Sequence, residues 1–288
     1  MLSIKKILLP VDFPVASLRV LHQAAVLAHH FNSEIVLLHV LTEQSHAAGV
    51  PEDGRLLADW DLLAAIIQQA QKQQDTSLGP ELEEITIHRN VIEGDAATAI
   101  VRTAEEKKAD LIMMPSHGFT FDQFLLGSVS AGVIHESACP VWTCAHVDGS
   151  PVPKLAIRNI LCAVEFGARC DLAVSWAVRM SEEFGAHLTL ANVTSGVETW
   201  GPGGNIVDQS WKEKLISNAT EQMAELQRKM SLKADIFIGS GDVPKVLRQA
   251  VEQTKADLLV TECYPYGVHL RTRGYGIMSA VTVPVLSV

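Results

Sequence analysis

Two clusters of residues follow apolar segments in a pattern that suits an anionic ligand. Pro10-Val11-Asp12 closes the first apolar stretch, and Met114-Pro-Ser-His-Gly118 closes a later one, followed by Gly127-Ser128 at the start of a helical pattern. A Gly-Ser pair at a helix N-terminus offers backbone N–H groups and partial positive charge, which can hold phosphate without Lys or Arg. Asp12, an acceptor when ionised, suits a ribose hydroxyl pair. The alternatives are a turn or capping role for Asp12 and simple helix capping by Gly127-Ser128.

Other chemistries find less support in the sequence. The adjacent His29 and His30 would point apart on a helix, which favours surface placement. His117 lies in the candidate ligand loop and could bond a phosphate, and loop exposure explains it equally well. Cys139 and Cys144 fall on opposite faces of a strand by parity, which argues against shared metal ligation. The sequence has no nucleophile-elbow, P-loop, zincin or kinase motif, so we expect neither a metal centre nor a specialised enzyme.

The chain repeats itself, and this repeat determines how the clusters are positioned. Three blocks match in the same order, at offsets of 153, 147 and 144. The matching pairs are Lys6 to Phe13 with Asn159 to Phe166, Gly94-Asp95 with Gly241-Asp242, and Pro140-Val141 with Pro284-Val285. Three blocks in one order indicate a duplication.

Each repeat alternates short apolar strands with helices, which is typical of βαβ units in a parallel sheet. In the first repeat the pattern predicts strands at 5–11, 34–41, 84–91, 110–114 and 141–145, and helices at 18–31, 56–74, 96–107 and 128–136. Asp95 and Asp242 are the expected N-caps of equivalent helices. We therefore expect an α/β fold of two tandem open parallel five-stranded sheets with helices on both faces.

Composition and linker chemistry set the domain division and exclude some partners. Residues 146–153 concentrate turn and polyproline formers, which predicts domains at 1–150 and 151–288. The net charge of −10, without a clustered basic stripe, argues against nucleic acid. Short apolar runs, five cysteines without a C-x-x-C pair and an N-terminus unlike a signal peptide predict a cytoplasmic protein that does not enter membranes.

The duplicated α/β unit and its motifs resemble the universal stress protein family over nearly the whole chain. The motifs are Pro10-Val11-Asp12, and Gly118 followed after eight residues by Gly127-Ser-Val-Ser130 and then by Cys139-Pro-Val. The resemblance implies small Rossmann-like domains of the adenine nucleotide alpha hydrolase type, with strand order 3-2-1-4-5, that dimerise through their last strands. Many members of that family bind ATP at a G-x-x-G-x9-G-[ST] motif.

The resemblance also implies which residues would hold the nucleotide. Pro10, Val11 and Asp12 would meet adenine and ribose, with Val40 at the base and Met114 at the base-side wall. The nucleotide-binding set is Pro10, Val11, Asp12, Val40, Met114, Ser116, His117, Gly118, Gly127, Ser128, Val129 and Ser130. Two features depart from the family motif. Pro115 stands where its first glycine falls, and the spacing that follows Gly118 is one residue short.

The second repeat departs further from the motif. Glu165 replaces Asp12, and Arg271-Thr272 align with Gly127-Ser128. Glutamate is longer than aspartate, and Arg271 has a Cβ where Gly127 has none. Both differences narrow such a pocket, so we expect the second domain to be structural or to bind something less charged.

Together these observations predict a cytoplasmic stress-response protein whose first domain binds ATP, with Mg²⁺ as the companion ion. The second domain would act as an intramolecular dimer partner, and a homodimer of tandem chains is equally open. Slow ATP hydrolysis is the most catalysis we expect. The alternative is a nucleotide-independent scaffold or apolar-ligand-binding stress protein that uses the loop with Phe119, Phe121 and Phe124 as a contact surface.

Overall fold

The computed structural model describes residues 2–11, 14–42, 78–116, 127–144, 155–167, 170–194, 209–262, 276–278 and 280–288. Two units are present, and their main segments are Ser3–Leu155 and Ala156–Val288. The predicted boundary near residue 150 and the predicted helix at 56–74 lie outside the described residues.

The first unit alternates strands with helices. Its described elements are β1 (Lys6–Pro10), α1 (Pro14–Phe31), β2 (Glu34–Leu41), α2 (Leu78–Glu81), β3 (Ile87–Glu93), α3 (Ala96–Lys107), β4 (Leu111–Pro115), α4 (Ser128–Glu136) and β5 (Val141–Cys144). The helices predicted at 96–107 and 128–136 are confirmed at both ends. The strand predicted at 84–91 is shifted, because Glu84 has a left-handed backbone (φ 68°) and β3 begins three residues later.

The five strands of the first unit form a parallel sheet in the order β3-β2-β1-β4-β5. Ile7, Leu8 and Leu9 in the central strand β1 are all fully buried. Successive side chains on a strand point to opposite faces, so the burial of all three means that both faces of the sheet are covered. The predicted fold class and strand order are therefore confirmed for this unit.

The second unit repeats the same architecture. Its described elements are β6 (Asn159–Ala163), α5 (Cys170–Phe184), β7 (His187–Thr194), α6 (Gln209–Lys229), β8 (Asp235–Ser240), α7 (Val243–Thr254), β9 (Leu258–Thr261) and β10 (Val285–Ser287). Its strands are parallel in the order β8-β7-β6-β9-β10. The registers match as well, since Lys6 pairs with Glu34 where Asn159 pairs with His187.

The repeated Lys-Ala-Asp sequence joins the first and fourth strands of each unit. The Asp110 carboxylate accepts two backbone N–H groups at the start of β1, from Lys5 at 2.8 Å and Lys6 at 3.0 Å. Asp257 accepts the equivalent pair at the start of β6, at 2.8 and 2.9 Å. In each unit, one carboxylate oxygen therefore joins the fourth strand to the start of the first strand.

Both predicted helix N-caps are confirmed. The Asp95 carboxylate accepts the backbone N–H of Thr98 at 3.0 Å, and Asp242 accepts that of Lys245 at 3.2 Å. The hydrogen bonds from the Thr98 backbone and hydroxyl lower the pKa of Asp95. These caps fix α3 and α7 immediately after the third strand of each unit.

A buried polar contact ties α1 to the last strand of the first unit. Gln23 on α1 is 5% exposed, and its Oε1 accepts Nε1–H of Trp142 and Sγ–H of Cys144, both at 2.8 Å. Burial raises the pKa of the Cys144 thiol to about 12, so the thiol stays protonated and able to donate. This contact satisfies the indole N–H of a fully buried tryptophan.

In each unit a glycine lies close to the helix that follows the third strand. A Cβ added to Gly132 on α4 would lie 2.8 Å from the Cβ of Ala97 on α3. In the second unit a Cβ on Gly276 would lie 2.8 Å from Cγ of Pro244. Gly132 and Gly276 share the offset of 144, so the close approach is itself part of the repeat.

A histidine and an acid pair across the outer two strands of each unit with their positions exchanged. In the first unit Glu34 on β2 meets Nε2 of His88 on β3 at 3.3 Å. In the second unit His187 on β7 meets Asp235 on β8 at 2.9 Å. The pKa of Glu34 is lowered chiefly by its hydrogen bond to Lys6, with His88 adding to the effect.

Candidate functional site

The candidate site lies where the strand order of the first sheet reverses. From β1 the chain moves outward through β2 and β3, and from β4 it moves the other way to β5. Val11 follows β1 and Ser116 follows β4, so both stand at the carboxyl edge on the two sides of this switch point. Ligands of open parallel α/β sheets bind in such crevices.

The end of β1 is held by two hydrogen bonds to β2. The backbone N–H of Val11 donates to the carbonyl of Leu38 at 2.8 Å. The carbonyl of Val11 lies 2.9 Å from Nδ1 of His39. A carbonyl oxygen can only accept, so Nδ1 of His39 carries the hydrogen. Val11 is 5% exposed and its backbone is therefore fixed immediately before Asp12.

The start of α4 is fastened to the end of β4. The backbone N–H of Gly127 donates to the carbonyl of Ser116 at 3.0 Å, and the hydroxyl of Ser130 donates to the carbonyl of Pro115 at 2.9 Å. Ser116 in turn donates its N–H to the carbonyl of Cys144 at 2.9 Å. These bonds place the first turn of α4 at the same sheet edge as Val11.

Gly127 is the N-cap of α4 and leaves that helix end without a side-chain cap. Its backbone angles, φ −60° and ψ 146°, are open to any residue, so backbone strain does not explain a glycine here. The first N–H groups of a helix have no partner within the helix and carry partial positive charge. The helix end is thus suited to an anion that approaches closely at a residue without a Cβ.

The described members of the predicted nucleotide-binding set lie at the ends of β1, β2 and β4 and at the start of α4. Pro10, Val11, Met114, Ser116 and Ser130 are buried, Val40, Gly127 and Val129 are partly exposed, and Ser128 is exposed. Asp12, His117 and Gly118 lie outside the described residues. The hydroxyl hydrogen of Ser130 is used to anchor α4. A phosphate contact by any of these residues remains a prediction.

His39 contacts the edge of the candidate crevice, and the sequence patterns missed it. It contacts Val11 across 28 positions of sequence, and neither residue type marks the other as a partner. A signal was present in the repeat: at the offset of 153, His39 aligns with Asn192 and Val11 with Val164. The side chain of Asn192 donates to the carbonyl of Val164 at 2.8 Å.

The equivalent edge of the second unit is acidic. Glu262, which is 8% exposed, occupies the position of Pro115, and its carboxylate accepts the backbone N–H of Glu165 at 3.3 Å. Burial, followed by the charge of Glu262, raises the pKa of the Cys170 thiol to about 11. A buried carboxylate at this position repels a phosphate and occupies an N–H group of the edge.

The described part of the chain contains neither a helix that could span a membrane nor a cluster of metal ligands. None of its helices combines the length and the apolar character needed to cross a membrane. Within the same residues, His, Cys, Asp and Glu side chains form no group of three placed to hold a metal ion.

The two units and their edges define a duplicated, doubly wound α/β protein with its candidate crevice at the β1–β4 switch point. The sequence model of the universal stress protein family matches residues 3–144 and 156–263. The chain therefore belongs to the universal stress protein family.

Individual proteins are similar to this chain in sequence or in fold. A universal stress protein of Methanocaldococcus jannaschii is 34% identical over 140 residues, which cover 48% of this chain and 79% of that protein. A crystal structure of a universal stress protein from Archaeoglobus fulgidus covers 98% of this chain and 95% of its own, at 21% identity and a TM-score of 0.63. A putative universal stress protein from Pseudomonas aeruginosa covers 99% and 93%, at 16% identity and a TM-score of 0.64.

Proposed function

We propose that the first unit binds an adenine nucleotide, ATP, at the switch point between β1 and β4. One observation carries the proposal. The N-terminus of α4 has no side-chain cap, and hydrogen bonds from Gly127 and Ser130 hold it against the end of β4. That helix end supplies donors for phosphate, and the partly exposed Val40 supplies apolar surface for a base. Family membership supports adenine as the base, since many universal stress proteins bind ATP.

Backbone donors are the main source of phosphate contacts in this proposal. Residues 111–136, which contain β4, α4 and the sequence between them, hold no Lys or Arg. The charge of a triphosphate is then offset by the helix N-terminus and by Mg²⁺ that accompanies the phosphates. Affinity should accordingly depend on the divalent cation more than it would in a lysine-containing P-loop.

We propose binding, rather than turnover, as the activity of the site. Fast phosphoryl transfer needs a clamp of cationic side chains on the transferred group, and residues 111–136 contain none. Slow hydrolysis of bound ATP is the most catalysis this composition supports.

The second unit has a different role in this proposal. Its buried Glu262 replaces Pro115 at the edge where phosphate would approach, which disfavours nucleotide there. We propose that it serves as the intramolecular partner of the first unit in a cytoplasmic stress-response protein. Homodimerisation of two such chains is compatible with this role.

The substitution Gly127→Asp tests the site without disturbing the helix. Aspartate is a strong N-cap and the backbone of Gly127 accepts any residue, so the melting temperature should stay equal or rise. A Cβ and a negative charge at the phosphate position should weaken ATP binding at least tenfold. Calorimetric titration of the full chain with ATP and Mg²⁺ measures the affinity, and Gln222→Glu at an exposed position of α6 controls for the added charge.

Each outcome has a definite meaning. ATP binding by Gly127→Asp at the affinity of the unsubstituted chain would refute the site while leaving binding intact. Failure of the unsubstituted chain to bind at millimolar ATP would favour the scaffold or apolar-ligand alternative. Measurable ATP turnover that Asp12→Ala abolishes would show that the protein is a hydrolase.

A further inference from the structure

The same hydrogen bond is built in both units from different residues. In the first unit Nδ1–H of His39 donates to the carbonyl of Val11 at 2.9 Å. In the second unit Nδ2–H of Asn192 donates to the carbonyl of Val164 at 2.8 Å. The two donors and the two acceptors are related by one offset of 153, so the duplicated fold keeps the bond while the residue that makes it changes.

The two side chains are interchangeable for this purpose. Nδ1 of histidine and Nδ2 of asparagine are both bonded to Cγ, so each places an N–H donor at the same distance from the backbone. The second ring nitrogen of His39, Nε2, has no counterpart in Asn192. What the two units share is therefore the donor at the δ position.

This bond continues the sheet where main-chain pairing ends. The ladder between β1 and β2 stops at Pro10 and Leu38, and the N–H of Val11 still reaches the carbonyl of Leu38. Beyond that point the side chain of His39 replaces the main chain as donor to the carbonyl of Val11, a residue that is 5% exposed. A buried carbonyl without a donor is costly, so the bond fixes the chain immediately before Asp12.

We propose that His39 is a positioning residue of the nucleotide site: through Nδ1–H it holds the end of β1, where Val11 borders the crevice. The inference rests on the proposed function, because it assigns a role in nucleotide affinity. His39 acts through the backbone of Val11 and does not itself contact the nucleotide.

Two substitutions test whether the N–H donor at the δ position of His39 is the part of the imidazole ring that matters. His39→Asn keeps a donor where Nδ1 stands, and His39→Gln keeps one where Nε2 stands. Both variants retain a polar side chain at a partly exposed position, so both should fold. Asn192→Ala removes the equivalent bond from the second unit and is the matched control.

Calorimetric titration of each full-length variant with ATP and Mg²⁺ provides the first readout. We expect His39→Asn to bind within about twofold of the unsubstituted chain, and His39→Gln to bind about tenfold more weakly, as for the loss of one hydrogen bond. Asn192→Ala should bind normally. Equal binding by both His39 variants, or tighter binding by His39→Gln, would overturn the inference.

Hydrogen exchange without nucleotide provides a readout that does not depend on the proposed function. A peptide covering residues 5–13 should exchange faster in His39→Gln than in His39→Asn. If the unsubstituted chain binds no ATP while this exchange difference is present, the proposed function fails and the bond survives. If ATP binds and neither exchange nor affinity differs between the variants, the role of His39 fails and the proposed function survives.

Discussion

Replacing Gln23 by methionine should destabilise the first unit without leaving a large cavity. Methionine is close to glutamine in volume, and it removes the oxygen that accepts Nε1–H of Trp142 and Sγ–H of Cys144 at 2.8 Å each. Trp142 is fully buried, so water cannot replace the lost partner.

The size of the effect follows from the burial of the indole N–H. An unsatisfied buried donor costs about 1–3 kcal/mol, and the weaker thiol bond adds less. We therefore expect the free energy of unfolding to fall by about 2–3 kcal/mol. For a unit of this size, that corresponds to a decrease in melting temperature of roughly 5–10 °C.

Urea unfolding of the full chain, followed by circular dichroism, measures the loss for Gln23→Met in two backgrounds. In the Trp142→Phe background the indole N–H is already gone, so the same substitution should cost at least about 1 kcal/mol less. An equal cost in the two backgrounds would show that the indole bond contributes nothing. A cost below about 0.5 kcal/mol in the unsubstituted chain would contradict the whole contact.

Three further predictions follow from other contacts. Gly132→Ala should lower the free energy of unfolding by about 1–3 kcal/mol in urea unfolding, because its Cβ would lie 2.8 Å from that of Ala97, and Ala97→Gly should recover part of the loss. Asp95→Ala should cost ~1 kcal/mol at neutral pH through the lost N-cap. Because hydrogen bonds from Thr98 lower the pKa of Asp95, the carboxylate stabilises above the ordinary value of 3.8 and stops doing so as pH falls through the lowered value. The difference from the unsubstituted chain should therefore shrink in acid, as a pH series of unfolding curves would show, and a constant difference would count against the charged cap. Burial raises the pKa of Cys144 to about 12, so peptide mapping after iodoacetamide treatment of the native chain near pH 8 should find it unlabelled, and rapid labelling would contradict that burial.

The fold could be predicted from the sequence because its signals are local or repeated. The helices at 96–107 and 128–136 follow residues with recognisable N-terminal roles, Asp95 and Gly127, and their bounds were correct. The edge strand β3 was placed three residues early, since half-exposed residues give a weak apolar pattern and the turn at Glu84 carries no glycine to mark it.

The site could be predicted only in part, for a physical reason. The ends of β1 and β4 are recognisable because apolar runs stop there, and a parallel sheet brings such ends to one edge. The bonds that hold this edge in place join residues far apart in sequence, such as His39 with Val11 and Ser116 with Cys144. Their partners are set by packing, which no local pattern encodes, and Asp12, His117 and Gly118 remain predictions.

The exchanged histidine and acid on the outer two strands affect whether a strand of one repeat can pair with a strand of the other. The strand registers of the two units are the same, so β8 could take the place of β3 beside β2 without misaligning the backbone. Glu34 would then lie beside Asp235, and His187 would lie beside His88 in the reciprocal error. Two carboxylates repel each other, and two imidazoles cannot form an ion pair. Each incorrect strand pairing therefore lacks the histidine–acid contact that the correct pairing makes. These four side chains thus add a preference for the correct strand pairing in each repeat.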